Sequence, residues 1–180
     1  MKDLPKRKNL RLKGFDYNTP GARFITICTH QRRQFLSKVV GELPDHDTFG
    51  SLEESPAVVL TERGQIIDRI IRTLPSHLGV EIEEYVIMPN HIHLIVIIPE
   101  QERAIRESPL QKRSVLSKVI GYIKMTASKE LNNRFGDHLI WQRGYYDHII
   151  RNIKDHELIL HYILTNPQKW QFDRFYEKEL

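Results

Sequence analysis

Residues 85–98, YVIMPNHIHLIVII, constrain the fold of this chain more than any other stretch. Two apolar runs rich in Val and Ile flank the short polar element Pro89-Asn90-His91-Ile92-His93. Such runs read as strands of a buried sheet, and the Pro-Asn step between them as a tight connection. Residues 80–88 and 91–98 are therefore expected to pair as antiparallel strands. Alternate side chains of an extended chain share a face, so His91 and His93 point one way and Ile92 and Leu94 the other. Two imidazoles side by side are half of a metal site, because neutral imidazole nitrogen is a common ligand for divalent ions. They are equally well a hydrogen-bonded pair at a strand end, and the rest of the chain has to decide.

Around this pair the periodicity alternates between helix and strand. Residues 23–29 read as a strand, left by the basic segment HQRRQF. Residues 40–56 carry Gly, Pro, Asp and Ser and read as a surface loop or small hairpin. Thr61 is the expected cap of a helix on which Ile66, Ile67, Ile70, Ile71 and Leu74 recur at helical spacing, with Pro75 near its stop. Residues 99–112 have no period and read as a linker. Ser114 is the expected cap of a second helix, with Val115, Leu116, Val119, Ile120, Ile123, Ala127 and Leu131 as its apolar stripe. Residues 139–150 read as a strand or extended loop. A last helix from about Ile153 carries Leu158, Ile159, Tyr162 and Ile163 before Asn166-Pro167 ends it. An antiparallel pair with unevenly spaced helices predicts an α+β fold, with helices packed on one face of the sheet.

The 180 residues suffice for one domain with a real core, and 40% hydrophobic and 28% charged residues fit a soluble protein. The expected organisation is a single domain, 1–180, with 1–20 a basic N-terminal arm. No apolar stretch reaches the length of a membrane span, and the N-terminus has no apolar signal-peptide core. A single cysteine, Cys28, excludes an internal disulfide and suits a reducing cytoplasm. Net charge is only +4, but it is clustered. Lys2, Lys6, Arg7, Lys8, Arg11 and Lys13 crowd the arm, and a second basic stretch runs from Arg103 to Arg134. Such clustering is the footprint of a phosphate-backbone binder, although solvated helix faces produce it too.

Tyr162 and Asn166 are four residues apart and share one helix face. A tyrosine hydroxyl can attack phosphorus and hold a cut strand as a phosphotyrosine, but its ordinary pKa near 10 means it needs help from a cation or base. A divalent ion on His91 and His93 would polarise the scissile phosphate, and the Asn166 carbonyl oxygen would complete its coordination. From these residues alone, a helix tyrosine before Asn-Pro is also a plain core or surface residue.

At this point the chain resembles a family. Met88-Pro89-Asn90-His91-Ile92-His93 is similar to the His-hydrophobic-His motif of HUH single-strand endonucleases, in the form found in single-tyrosine transposases of the IS200-like group. The likeness extends to Phe24-Ile25-Thr26-Ile27-Cys28-Thr29-His30, to residues 141–152 (WQRGYYDHIIRN) and to residues 161–167 (HYILTNP). It resembles REP-associated tyrosine transposases most. Mobile members of the wider family tend to carry Gln where this chain has Asn166, a departure that points to the REP-associated, domesticated-looking branch.

The resemblance implies a ferredoxin-like antiparallel sheet of the HUH endonuclease type. It implies His91, His93 and Asn166 as ligands of Mg²⁺ or Mn²⁺, and Tyr162 as the nucleophile. The implied partner is single-stranded or hairpin DNA of the REP kind, cut and rejoined through a 5′-phosphotyrosine, by a monomer or homodimer associated with the nucleoid in the cytoplasm. Arg32, Arg33, Lys118 and Lys124 are the candidates for phosphate contacts. Trp141, Gln142, Arg143, Tyr145 and Tyr146 are candidates to stack on or read unpaired bases, with core packing the alternative for Trp141 and one tyrosine. Asp147 and His148 are candidates to support the metal ligands from outside, or are structural. The alternative reading is a catalytically inactive, domesticated hairpin-binding protein. A structural zinc site would want four closed ligands, usually with cysteine. A two-histidine phosphoesterase would need a second His-x-Thr/Ser element, and none is evident.

Overall fold

A computed structural model describes residues 19–41, 56–100 and 114–176. The basic residues of the arm, the stretch from Arg103 to Arg113 with most of the expected linker, and residues 42–55 lie outside the described residues. In chain order the elements are β1 (Gly21–Cys28), a 3₁₀ turn (His30–Arg32), β2 (Ser37–Val40), β3 (Ala57–Leu60), α1 (Glu62–Leu78), β4 (Glu81–Met88), β5 (His91–Ile98), α2 (Val115–Phe135), β6 (Tyr146–Ile149), α3 (Ile153–Thr165) and a closing 3₁₀ turn (Pro167–Phe172).

The main sheet is antiparallel, in the order β4-β5-β1-β6. With α1 before β4 and α2 before β6, this is the ferredoxin-like arrangement, and the fold is α+β. The β2–β3 pair is a separate antiparallel ribbon between β1 and α1. β4 and β5 are joined at the Pro89-Asn90 turn with Met88 opposite His91, the antiparallel pairing expected from the sequence.

β5 lies in the interior of the sheet, and alternation sorts its side chains. Ile92, Leu94, Val96 and Ile98 join Ile25 and Ile27 of β1 in the large core beneath α1 and α2. Ile95 faces the other way and meets Phe24 and Ile163 in a smaller cluster under α3. His91 and His93 belong to that second face by the same alternation. Helices therefore cover both faces, not the single face expected. The near-continuous apolar run of β5 is the physical reason, because a strand buried on both sides needs apolar residues at both parities.

Both expected caps form: the Thr61 hydroxyl accepts from Gly64 N at 3.2 Å, and Ser114 accepts from Ser117 N at 3.3 Å. All seven expected stripe residues of α2 are buried. α1 continues through Pro75 and ends where Gly79 takes the left-handed conformation, φ 61°. Gly64 is required for a different reason: a Cβ there would stand 2.0 Å from the Leu36 carbonyl oxygen. That close approach docks α1 against the segment leading into β2, which is itself tied to the Pro89-Asn90 turn where Leu36 N donates to Pro89 O at 3.0 Å.

Candidate active site

His91 and His93 are fully buried, with ring centroids 4.5 Å apart. Their Nδ1 atoms are held from behind. His93 Nδ1 lies 2.9 Å from the Thr26 hydroxyl, on the strand directly opposite, and His91 Nδ1 lies 2.8 Å from Asn90 Oδ1. Asn90 Nδ2 donates to the Phe175 carbonyl at 2.7 Å, which turns the amide oxygen toward His91. His91 therefore carries its proton on Nδ1, and its Nε2 lone pair is available for a ligand. That Nε2 is buried and has no hydrogen-bond partner. Burial, with Arg32 and Arg174 nearby, pushes the His91 pKa down to about 3. Burial and the neighbouring His91 push His93 down as well, so both rings are neutral at ordinary pH.

α3 lies across this pair. Phe24 stacks on His93 at 5.1 Å and meets Tyr162 edge-on at 6.1 Å, while Ile163 packs into the cluster with Phe24 and Ile95. The Tyr162 hydroxyl sits 3.2 Å from His93 Nε2 and donates to Asp173 Oδ2 at 3.1 Å. Asn166, at the helix end, donates through Nδ2 to the same carboxylate oxygen at 2.9 Å, leaving its Oδ1 buried without a partner. Buried polar atoms are rarely left unpaired, and His91 Nε2 and Asn166 Oδ1 are both acceptors able to serve as cation ligands. Burial first, then the Asp173 charge, raises the pKa of Tyr162 above its ordinary value.

Asp173 escaped the sequence reading. Ligand atoms of His91, His93 and Asp173 all lie within 4.8 Å of one another, a spacing suited to one metal ion. The residue arrives on the turn after α3, a segment with no periodicity that would tie it to β5. Phe175 follows it and covers the imidazoles, 4.6 Å from His91 and 5.9 Å from His93. Trp170 closes another side at 5.9 Å from His91. An acid shortly after the helix that carries Tyr162 was the only available signal for Asp173.

The remaining candidates divide. Arg32 lies beside the site, its guanidinium 4.5 Å from the Phe175 ring. Arg33 donates to the carbonyls of His138 and Leu139 at 3.2 and 3.0 Å and packs over Phe35. Lys118 is on α2, off the buried stripe. Lys124 turns inward: its ammonium donates to the carbonyls of Gln142, at 2.7 Å, and Gly144, and burial lowers its pKa to about 8. Trp141 bridges to Thr29 and packs with Tyr145 against the large core. Gln142, Arg143 and Tyr145 line a pocket next to the imidazole face. Asp147 pairs with Ile25 and so belongs to the opposite face from the imidazoles. His148, opposite Phe24, contacts Asp155 at 2.9 Å and ties β6 to the first turn of α3.

Known proteins share the sequence pattern and the fold. The family model described as "Transposase IS200 like" matches residues 24–166. An uncharacterized protein of Haemophilus influenzae (strain ATCC 51907 / DSM 11121 / KW20 / Rd) is 31% identical over 183 residues, covering 94% of this chain and 93% of its own. The REP-associated tyrosine transposase of Escherichia coli (strain K12) is 25% identical over 135 residues, 70% of this chain and 73% of its own. A solved structure of a REP-associated tyrosine transposase bound to a REP hairpin shares the fold, with a TM-score of 0.59 at 22% identity over 91% of this chain and 77% of that one. The family model takes in β1 from Phe24 onward, both histidines, the tyrosine and the asparagine that converge here, and the chain belongs to the IS200-like transposase family.

Proposed function

We propose that this chain is a metal-dependent single-strand DNA endonuclease and transposase of the REP-associated kind. It cuts and rejoins DNA beside REP-like hairpins through a covalent link between Tyr162 and a 5′ phosphate. The observation that carries this reading is the convergence of the Tyr162 hydroxyl, His93 Nε2 and Asp173 with two unpartnered buried acceptors, His91 Nε2 and Asn166 Oδ1. Two imidazole nitrogens, an amide oxygen and a carboxylate form a donor set that accepts Mn²⁺ and Mg²⁺. When bound, such an ion supplies Lewis-acid polarisation of the scissile phosphate.

The chain's own groups supply the rest. Tyr162 attacks phosphorus, the new O–P bond replaces the bond to the 3′ oxygen, and the departing 3′ oxygen takes up one proton, from solvent or from the carboxyl that received the phenol proton, to end as a 3′ hydroxyl. The phenol proton passes to the Asp173 carboxylate that already accepts it. This acceptor matters because burial disfavours a free phenolate at Tyr162. His93, held by Thr26 at Nδ1, presents its Nε2 beside that hydroxyl, where it would help hold the ion. Rejoining is the same displacement reversed, with a 3′ hydroxyl attacking the phosphotyrosine. The nucleoid is the expected place of action, and a hairpin the expected partner, as in the hairpin-bound relative.

The second reading, a hairpin binder without catalysis, draws on Asp173 and Phe175, which lie over the site and engage Tyr162 and the imidazoles. One experiment separates them. A labelled oligonucleotide with a REP-type hairpin and single-stranded flanks is incubated with the protein and Mn²⁺, then run on a denaturing gel. The expected product is a protein–DNA adduct that peptide mapping assigns to Tyr162. Tight binding without an adduct in either Mn²⁺ or Mg²⁺ supports the binder instead.

A further inference from the structure

α3 crosses the imidazole face of the sheet, and apolar packing holds it at one place. Of its 13 residues only Ile163, near its end, is fully buried, against Phe24 and Ile95. Ile153, Leu158 and Leu164 stay 78%, 62% and 57% exposed. One apolar anchor fixes where a helix touches a sheet and leaves it free to swing and roll about that point. The other end of α3 is held by polar contacts instead.

Two imidazole–carboxylate pairs tie its first turns to opposite edges of the sheet. From β6, His148 Nε2 donates to both carboxylate oxygens of Asp155, at 2.9 and 3.1 Å. From α3, His156 Nε2 donates to both oxygens of Glu83 on β4, at 2.7 and 2.8 Å. β4 and β6 are the outermost strands in the order β4-β5-β1-β6. Asp155 and His156 are consecutive, so their side chains leave the helix about 100° apart, each toward its own edge. On β4, Ile82 pairs with Val96 and Glu84 with Ile95, which makes Glu83 an extra residue, and such bulges re-aim a side chain.

Partly exposed pairs of this kind contribute little to stability, so their effect is geometric. A helix with its side chains has a radius of about 5–6 Å, so a roll of about 10° carries an outlying group about 1 Å. The Tyr162 hydroxyl is such a group, 3.2 Å from His93 Nε2 and 3.1 Å from Asp173. We propose that His148 and Glu83, acting through Asp155 and His156, are positioning residues for Tyr162, because the two opposed pairs fix the roll of α3. This rests on the reading of Tyr162 as the nucleophile, but the place of its ring is measured without DNA, metal or turnover.

The strand-side partners are substituted, Glu83→Ala and His148→Ala, singly and together. The sequence of α3 is then untouched, and Asp155 keeps its contacts with Arg151 and Asn152. The full chain is labelled with 3-fluorotyrosine, and the fluorine resonance lost in Tyr162→Phe identifies that ring among the 7 tyrosines. Its shift reports the rings around it, Phe24 edge-on at 6.1 Å and His93 at 5.1 Å.

Each single variant should move or broaden this resonance, and the double variant most, with the urea midpoint nearly unchanged. With a REP-type hairpin carrying single-stranded flanks, in Mn²⁺, adduct formation should slow about tenfold in each single variant and about 100-fold in the double. The DNA concentration giving half the maximal rate should stay within about twofold, since binding contacts are untouched. Glu83→Gln keeps an acceptor oxygen at the same reach and should restore both the resonance and most of the rate. A resonance that stays in place in the double variant overturns the proposal. So does a slower rate recovered by raising the DNA concentration, which would make these side chains strand contacts. Glu83→Gln as slow as Glu83→Ala overturns the hydrogen bond to His156 as the cause. A displaced resonance in a protein that forms no adduct on any oligonucleotide leaves the positioning of Tyr162 assigned and overturns the cleavage reading.

Discussion

Tyr85 and Tyr162 stand on opposite faces of one sheet, and each donates its hydroxyl to an aspartate, Asp68 at 2.6 Å and Asp173 at 3.1 Å. Beyond that the pairs diverge. Asp68 also accepts from Arg72 at 2.8 Å, so a cation from the protein completes the group. Asp173 instead accepts a second neutral donor, Asn166, and beside it lie a buried imidazole nitrogen and an amide oxygen with nothing to bind. A tyrosine–carboxylate pair is therefore not a signature of chemistry in itself. What marks the Tyr162 face is that its buried acceptors have no hydrogen-bond partner, although Arg32 and Arg174 stand near enough to lower the His91 pKa.

The largest expected effect separates the two hydroxyls. Tyr162→Phe should lower adduct formation at least about 10³-fold, since it removes the attacking oxygen. Tyr85→Phe should leave the rate essentially unchanged and cost about 1 kcal/mol of stability for one lost hydrogen bond. Adduct yield on denaturing gels and urea denaturation measure both. Adducts at the wild-type rate in Tyr162→Phe would assign the nucleophile to another tyrosine, Tyr145 or Tyr146 first.

The two faces of β5 should separate next. His91→Ala is expected to lower cleavage at least about 100-fold and to weaken Mn²⁺ binding by calorimetry, because even outer partners of metal ligands are worth about 10–100-fold. Leu94→Ala, one strand face away, should cost about 2–5 kcal/mol and leave the cleavage rate of the folded fraction intact. His91→Ala also removes an unpartnered buried nitrogen, so its stability cost should be the smaller of the two. Similar stability losses with undiminished metal binding would make His91 a structural residue.

Much of this contrast was legible in the sequence, because alternation along β5 and the stripe of α2 are local patterns that burial on one side imposes. Thr61 and Ser114 as caps, and His91 with His93 on one face, followed from spacing alone. Three things did not follow. Coverage of both sheet faces was implied by apolar residues at both parities of β5 but was read as one face. Lys124 looked like a surface cation, since spacing off the α2 stripe cannot reveal that its long stem reaches under a neighbouring loop. Asp173 and Phe175 reach the site through a turn, where position depends on tertiary contact and leaves no period in the chain.

Asp173 tests the middle of the range. Asp173→Asn keeps the volume and one acceptor oxygen but removes the basic carboxylate. If that carboxylate takes the phenol proton, cleavage should fall by about 100-fold, the low end for a general base. Both carboxylate oxygens accept from donors, so the new NH₂ must face one of them and about 1–3 kcal/mol of stability should be lost, while Mn²⁺ binding should separate a lost base from a lost ligand. Undiminished cleavage would show that this carboxylate is not the acceptor of the phenol proton.

The smallest effect concerns alkali. Burial, then the Asp68 hydrogen bond and charge, pushes the Tyr85 pKa up to about 12, against an ordinary value of 10.0. Below pH 10 both folded and unfolded chains keep the phenol proton, and the full stability is present. Between 10 and 12 the unfolded chain releases it while the folded chain holds it, so stability falls as pH rises. The slope for one group cannot exceed about 1.4 kcal/mol per pH unit, and partial exposure of Tyr85 reduces it through solvent screening. Tyr162 is raised in the same direction and adds its own share. Urea denaturation at several pH values in this window should show Tyr85→Phe and Tyr162→Phe each flattening the limb, and the double variant flattening it most. An unchanged limb in Tyr85→Phe would mean that its phenol is as well solvated in the fold as out of it, and that the Asp68–Arg72 pair stands without it.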